Sequence, residues 1–159
     1  MQQMAEQTLA AAGYEHYETS AFAQPGGRCR HNLNYWSFGD YLGIGAGAHA
    51  KLSFPDHVVR EVRYKNPKDY LAAADPVQER HDVAVRELPF EFMMNALRLT
   101  AGVDAQLFAE RTGLPLAAVA AEIAQARQLG LLEASPQRLC PTPQGARFLN
   151  TLLQLFLPR

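Results

Sequence analysis

The chain has 159 residues, 48% of them hydrophobic, with 15 Lys and Arg against 16 Asp and Glu and a net charge of -1. That length allows one large domain or two small ones, and the charge balance removes any broad electrostatic reason to expect nucleic acid. Two Cys far apart make neither a disulfide framework nor a zinc cluster, no apolar run approaches the roughly 20 residues of a membrane span, and the start lacks the basic region and apolar core of a secretory signal, so a cytoplasmic protein with reduced thiols is expected.

In chain order, residues 2–12 read as a helix with Met4, Leu9 and several alanines on a weak apolar side, and Gly13 is placed to end it. Tyr14 to Phe22 alternates loosely and is expected as a strand. Helix, glycine and strand make the second half of an αβ unit, whose parallel sheet would need partner strands that this chain does not contain. Gln24-Pro25-Gly26-Gly27 is a turn. His31 to Trp36 is expected as a loop and short helical turn ending near Gly39-Asp40. Tyr41 to Ala48 is expected as a short strand with Gly43, Gly45 and Gly47 on one face, where bare backbone admits a ligand or another backbone. Val58 to Lys65 alternates as a strand or hairpin arm. Asn66 as N-cap and Pro67 at the first helical position open a helix through Tyr70 and Leu71. Ala74-Asp75-Pro76 breaks the pattern and a polar stretch to His81 follows, which places a boundary near residues 75–83 and gives units 1–78 and 79–159.

The second unit is expected to be mostly helical. Leu88 to Leu99 carries Phe92, Ala96 and Leu99 at helical spacing, Asp104 caps a short helix through Phe108 to Gly113, and Pro115 opens a third with Leu116, Val119 and Ile123 on one face. Leu131-Leu132-Glu133 and Arg138-Leu139-Cys140 are expected as a two-stranded wing. Thr142 caps a last helix that buries Phe148, Leu149, Leu152, Leu153 and Phe156. Helix, turn, helix, wing and helix make a winged-helix arrangement. Its recognition helix offers only Arg127 as a cation, and residues 82–159 hold seven Lys and Arg against seven Asp and Glu, which is no phosphate-binding face.

The most unusual stretch is Cys29 to His49, with the sole Trp, one of two Cys, two of five His and four of eleven Gly. His31 is of the type that ligates haem iron, Tyr35 and Trp36 could wall a porphyrin, and Asn32 could orient the imidazole. On spacing alone the structural reading outweighs this: Tyr35 and Trp36 as core anchors, His31 as a hydrogen-bonded residue, Cys29 and Cys140 as inert thiols. Gly43-Ile-Gly-Ala-Gly47 lacks the spacing and the strand–turn–helix context of a dinucleotide fingerprint.

Read together, Tyr17-Glu-Thr-Ser-Ala-Phe-Ala-Gln-Pro-Gly26, Cys29-Arg-His-Asn-Leu-Asn-Tyr-Trp36 and Gly39-Asp-Tyr-Leu-Gly-Ile-Gly-Ala-Gly-Ala-His49 resemble the oxygen-independent coproporphyrinogen III oxidase-like radical SAM proteins. The His-Asn-x-x-Tyr-Trp string is similar to the HemW branch of that family, the haem chaperones, and Leu129-Gly-Leu-Leu with Leu139-Cys-Pro-Thr-Pro-Gln-Gly resembles the family's C-terminal domain. The resemblance implies an α/β fold, the C-terminal end of a partial (β/α) barrel, followed by an α-rich winged-helix-like domain. It implies haem binding at His31, Asn32, Tyr35 and Trp36, with His31 the candidate iron ligand. Gly43, Gly45 and Gly47 would face the cavity for S-adenosylmethionine and a [4Fe–4S] cluster in the full-length family. The function implied is haem capture and handover to respiratory proteins. The alternatives are a fragment of an oxygen-independent coproporphyrinogen III oxidase or dehydrogenase of porphyrin biosynthesis, and a non-catalytic interaction module. One departure is plain: the family's Cys-x3-Cys-x2-Cys string is absent, so this chain is expected to be part of a longer protein, to lack radical chemistry alone, and to pair with a missing N-terminal half or with itself.

Overall fold

The computed structural model describes residues 2–158. Helix α1 (Gln2–Ala11) is exposed along most of its length, with Leu9 half-buried. The single strand expected over Tyr14 to Phe22 is instead a hairpin, β1 (Glu15–Glu18) antiparallel to β2 (Ala21–Ala23). Thr19 and Ser20 turn the chain with no Gly, Pro or Asn to announce it. Buried Glu18 stabilises that turn by accepting hydrogen bonds from the backbone N–H and hydroxyl of Ser20.

Helix α2 (Arg30–Trp36) carries the motif. The glycine strand expected over Tyr41 to Ala48 is a loop. Only Tyr41 pairs, with Lys51, while Gly45 (φ 106°) and Gly47 (φ 72°) take left-handed backbone that turns the chain back into β3. Strands β3 (His49–Ser53), β4 (Val58–Arg63) and β5 (Val77–Asp82) form an antiparallel sheet with β4 central. Strand β5 is the polar stretch that reads as irregular in the sequence. Its residues are exposed apart from half-buried Val77, so no apolar alternation marks it, and pairing with β4 holds it in place. Between them α3 (Pro67–Ala72) starts as expected, the Asn66 side chain accepting from the Lys68 N–H.

Helices α4 (Leu88–Ala96), α5 (Gln106–Thr112), a 3-10 turn (Leu116–Val119) running into α6 (Ala120–Gln128), α7 (Pro143–Arg147) and α8 (Leu149–Gln154) complete the chain. Strand β6 (Val103–Asp104) pairs with β7 (Arg138–Leu139), and Leu132 meets Pro141 in an isolated bridge. Thr142 caps α7 as expected, accepting from the Gly145 N–H. The last helix breaks at Phe148, which is half exposed rather than buried, while Leu152 and Phe156 enter the core. Arg127 spends its guanidinium on the carbonyls of Glu133 and Ser135.

All strand pairing among the described residues is antiparallel, and no closed barrel is present among them. The core lies mainly within residues 83–156, yet Phe38 and Val58 belong to it. The rings of Phe38, Phe92 and Phe108 meet edge to face at 5.8 and 5.2 Å, contacts worth about 0.5–1.5 kcal/mol each beyond their buried area. This aromatic row fixes α2 against the helical unit.

Candidate functional site

The motif string folds as a helix because the Leu33 N–H reaches the Cys29 carbonyl, closing the first turn. Its end is secured by Asn34, whose side chain donates to the Asp40 carbonyl at 2.9 Å and whose backbone carbonyl accepts from the Gly39 N–H. Between them Phe38 sits at φ 55°, left-handed for a bulky residue and costing roughly 1–3 kcal/mol. Lys51 offsets that strain. Its side chain is 1% exposed, its Nζ lies 4.2 Å from the Phe38 ring centroid, and it donates to the Phe38 carbonyl (3.0 Å), Asp40 (2.9 Å) and Ser53 (2.8 Å). All three ammonium protons are used. Burial pulls the Lys51 amine below its ordinary 10.5, against the raising effect of Asp40. Burial raises Asp40, but hydrogen bonds from Lys51 and Ser53 outweigh it and hold the carboxyl below 3.8. The pair thus carries its desolvation cost on the enclosed Lys51, while the carboxylate stays partly wet.

At 100° per residue, His31 and Tyr35 fall on one stripe of α2, and Asn32 and Trp36 on the adjoining one. The His31 side chain is exposed, and its imidazole has no hydrogen-bond partner among the described residues; in particular the Asn32 amide does not reach it. Tyr35 is half-buried. Its ring meets Trp36 edge-on at 5.0 Å (88°) and leans on Tyr41 at 5.2 Å. Tyr41 Oη accepts from Arg60 at 2.8 Å, and Arg60 pairs with Glu91 of α4 at 2.5 Å. Burial pushes the Tyr41 phenol up to about 12, overriding the lowering by Arg60. Trp36 packs on the core, and Arg98 lies over its ring at 4.3 Å from the centroid. The buried Nε1 of Trp36 has no partner.

The glycines point elsewhere. A Cβ at Gly43 would lie 2.5 Å from the His49 carbonyl oxygen, so the close approach there is to the chain's own backbone. Gly45 donates to Tyr70 Oη and Gly47 to the Tyr64 carbonyl. On either side of Gly43, Leu42 and Ile44 are 71% and 84% exposed. Cavities of about 510 and 380 Å³ lie under α5 and on the outer face of the three-stranded sheet, and neither includes a residue of α2.

Residues 83–148 match the HemN C-terminal domain. Over 152 residues the chain is 42% identical to the heme chaperone HemW of Escherichia coli (strain K12) and 46% identical to that of Haemophilus influenzae, each alignment taking in 95% of this chain. This chain resembles the HemW heme chaperones along nearly its whole length. It spans 40% and 39% of those relatives. HemW of Bacillus subtilis is 34% identical over 94% of the chain. The solved structure of coproporphyrinogen III oxidase (HemN) from Escherichia coli, a radical SAM enzyme, matches 98% of this chain and 39% of its own with a TM-score of 0.64 at 15% identity, which shows a shared fold.

The residues present fit haem in one respect and resist it in another. An exposed, unpartnered imidazole with an aromatic ring one turn along suits an axial ligand and a porphyrin wall. Trp36 is already covered on one face by Arg98, so it anchors the helix. No three His, Cys, Asp or Glu come together among the described residues, and a [4Fe–4S] cluster does not fit. Tyr41, Arg60, Glu91 and Arg98 are the residues that sequence reasoning missed. Only Tyr41 lies in the motif stretch, and the other three carry no local signal.

Proposed function

We propose that this chain is the haem-binding portion of a haem chaperone, delivering haem to respiratory proteins in the cytoplasm. The observation that carries the reading is His31, an imidazole held in the open on a short helix whose other ring residues are braced from behind, in a chain similar to HemW. Bound haem would supply an iron with an open coordination position. His31 would ligate it, Tyr35 would lie against the porphyrin with Trp36 behind, and Asn32 would orient the imidazole once it moves. An exposed seat suits a carrier, because a cargo held at one edge is released without unfolding a pocket.

The same proposal covers the architecture. Residues 1–78 would form the end of a partial (β/α) barrel and residues 79–159 a winged-helix-like unit. In a longer protein the open Gly43–Gly47 loop would border the cavity for S-adenosylmethionine and a [4Fe–4S] cluster whose ligands lie outside this chain. A missing N-terminal half, or a second copy, would cover exposed Leu42 and Ile44.

Haem titration followed by Soret absorbance tests the reading. A saturable shift in the wild type that His31→Ala abolishes supports it, and equal binding by both places the site elsewhere. Absence of binding would return the chain to a scaffold or interaction module.

A further inference from the structure

We infer that Arg98 is a positioning residue of this site, holding the Trp36 ring, and with it the motif helix, from the helical unit. The inference rests on the haem-binding reading above. Arg98 follows α4, and its backbone is fixed on both sides. Its N–H donates to the Asn95 carbonyl at 3.1 Å, and its carbonyl accepts from the Thr19 N–H at 3.0 Å. From that fixed backbone the side chain extends so that the guanidinium lies over the Trp36 ring, 4.3 Å from its centroid.

Its hydrogen bonding is poor by comparison. Nη2 lies 3.3 Å from Glu18 and 3.4 Å from the Ser20 hydroxyl, and the buried Nε has no partner. An arginine placed for ion pairing would offer a carboxylate two short parallel bonds. This one gives them up for contact with the indole face, the strongest aromatic partner for a cation. Trp36 shows the converse. With Nε1 unpartnered, its orientation comes from packing on the core, from Arg98 over one face and from the Tyr35 edge contact. Arg98 lies inside the segment 83–148 that matches the HemN C-terminal domain, and the motif lies outside it. The helical unit thus supplies a residue to a site it does not contain.

The competing role is an ordinary ion pair with buried Glu18, and lysine separates the two. Arg98→Lys keeps the charge opposite Glu18 but loses the planar stack. The experiment titrates ferric haem into the 159-residue wild type, Arg98→Lys and Arg98→Met, and measures iodide quenching of the sole Trp without haem. Both variants are expected to expose Trp36 to iodide and to weaken haem binding about five- to tenfold with the Soret maximum unmoved, because His31 is intact. Arg98→Lys is expected to melt near the wild type, so it carries the test if Arg98→Met fails to fold. Haem affinity in Arg98→Lys within about twofold of the wild type, or unchanged iodide quenching, overturns the inference. A wild type with no saturable Soret change overturns the haem reading itself, an outcome seen before any variant is compared.

Discussion

At the scale of single residues, the site is defined by what its side chains lack. His31 has no partner, and Trp36 and Arg98 each leave a buried N–H unmatched. Lys51 is the opposite case, with every donor used around a strained Phe38. This difference gives Asp40 a pH signature. Its folded pKa lies below the ordinary 3.8, so its contribution to stability is complete above that value and is lost as pH falls through the lower folded one. Lys51, lowered from 10.5, acts with the same sign at the alkaline end, where the unfolded chain binds the extra proton and stability rises with pH. Asp40→Asn is expected to destabilise the chain at neutral pH and to flatten the acid limb of its stability curve, measured by denaturant unfolding across pH. An acid limb as steep as that of the wild type would remove Asp40 from the account.

At the scale of elements, what the sequence made legible was local chemistry. Asn66-Pro67 and Thr142-Pro143 carry their caps within three residues, and both helices begin where those residues place them. The motif helix forms as the short helical turn expected of it, although its N-cap residue Cys29 makes no side-chain cap. Strand β5 was not legible, because Val77-Gln-Glu-Arg-His-Asp82 is polar on both faces and owes its form to the ladder offered by β4. The hairpin at Thr19-Ser20 was hidden because a buried carboxylate, invisible in a pattern, stabilises the turn. The Gly43–Gly47 segment was misread because alternation marks which side chains are absent, not which φ angles are positive. Gly43→Ala tests the new reading. Its Cβ would press on the His49 backbone, with an expected cost of about 1–3 kcal/mol, whereas Ala46→Gly in the exposed part of the loop should leave the thermal midpoint nearly unchanged.

At the scale of the molecule, the two units share one core. Residues 83–156 supply most of it, but Phe38 and Val58 enter from the first unit, and Arg60–Glu91 and Arg98–Trp36 cross the same seam. Packing alone draws no division near residues 75–83, and a difference in stability between the two sides is what proteolysis would reveal. Limited proteolysis is expected to remove residues 1–75 first and to leave residues 83–159 as a folded product with a lowered thermal midpoint. Equal rates of loss from both halves would show a single cooperative unit. None of these crossing partners could be found from the motif alone, since each comes from a distant part of the chain through tertiary folding.

The enclosure of Lys51 also bears on the covalent chemistry of the surface. The chain has three lysines, and Lys65, just before α3, and Lys68, within its first turn, stand exposed. An acylating reagent therefore meets two side-chain amines, while the third is shielded by Phe38, Asp40 and Ser53 for as long as the turn after the motif helix stays closed. Modification of Lys51 becomes a built-in clock for the opening of that turn, running at the rate at which the segment bearing His31 and Trp36 comes away from the sheet.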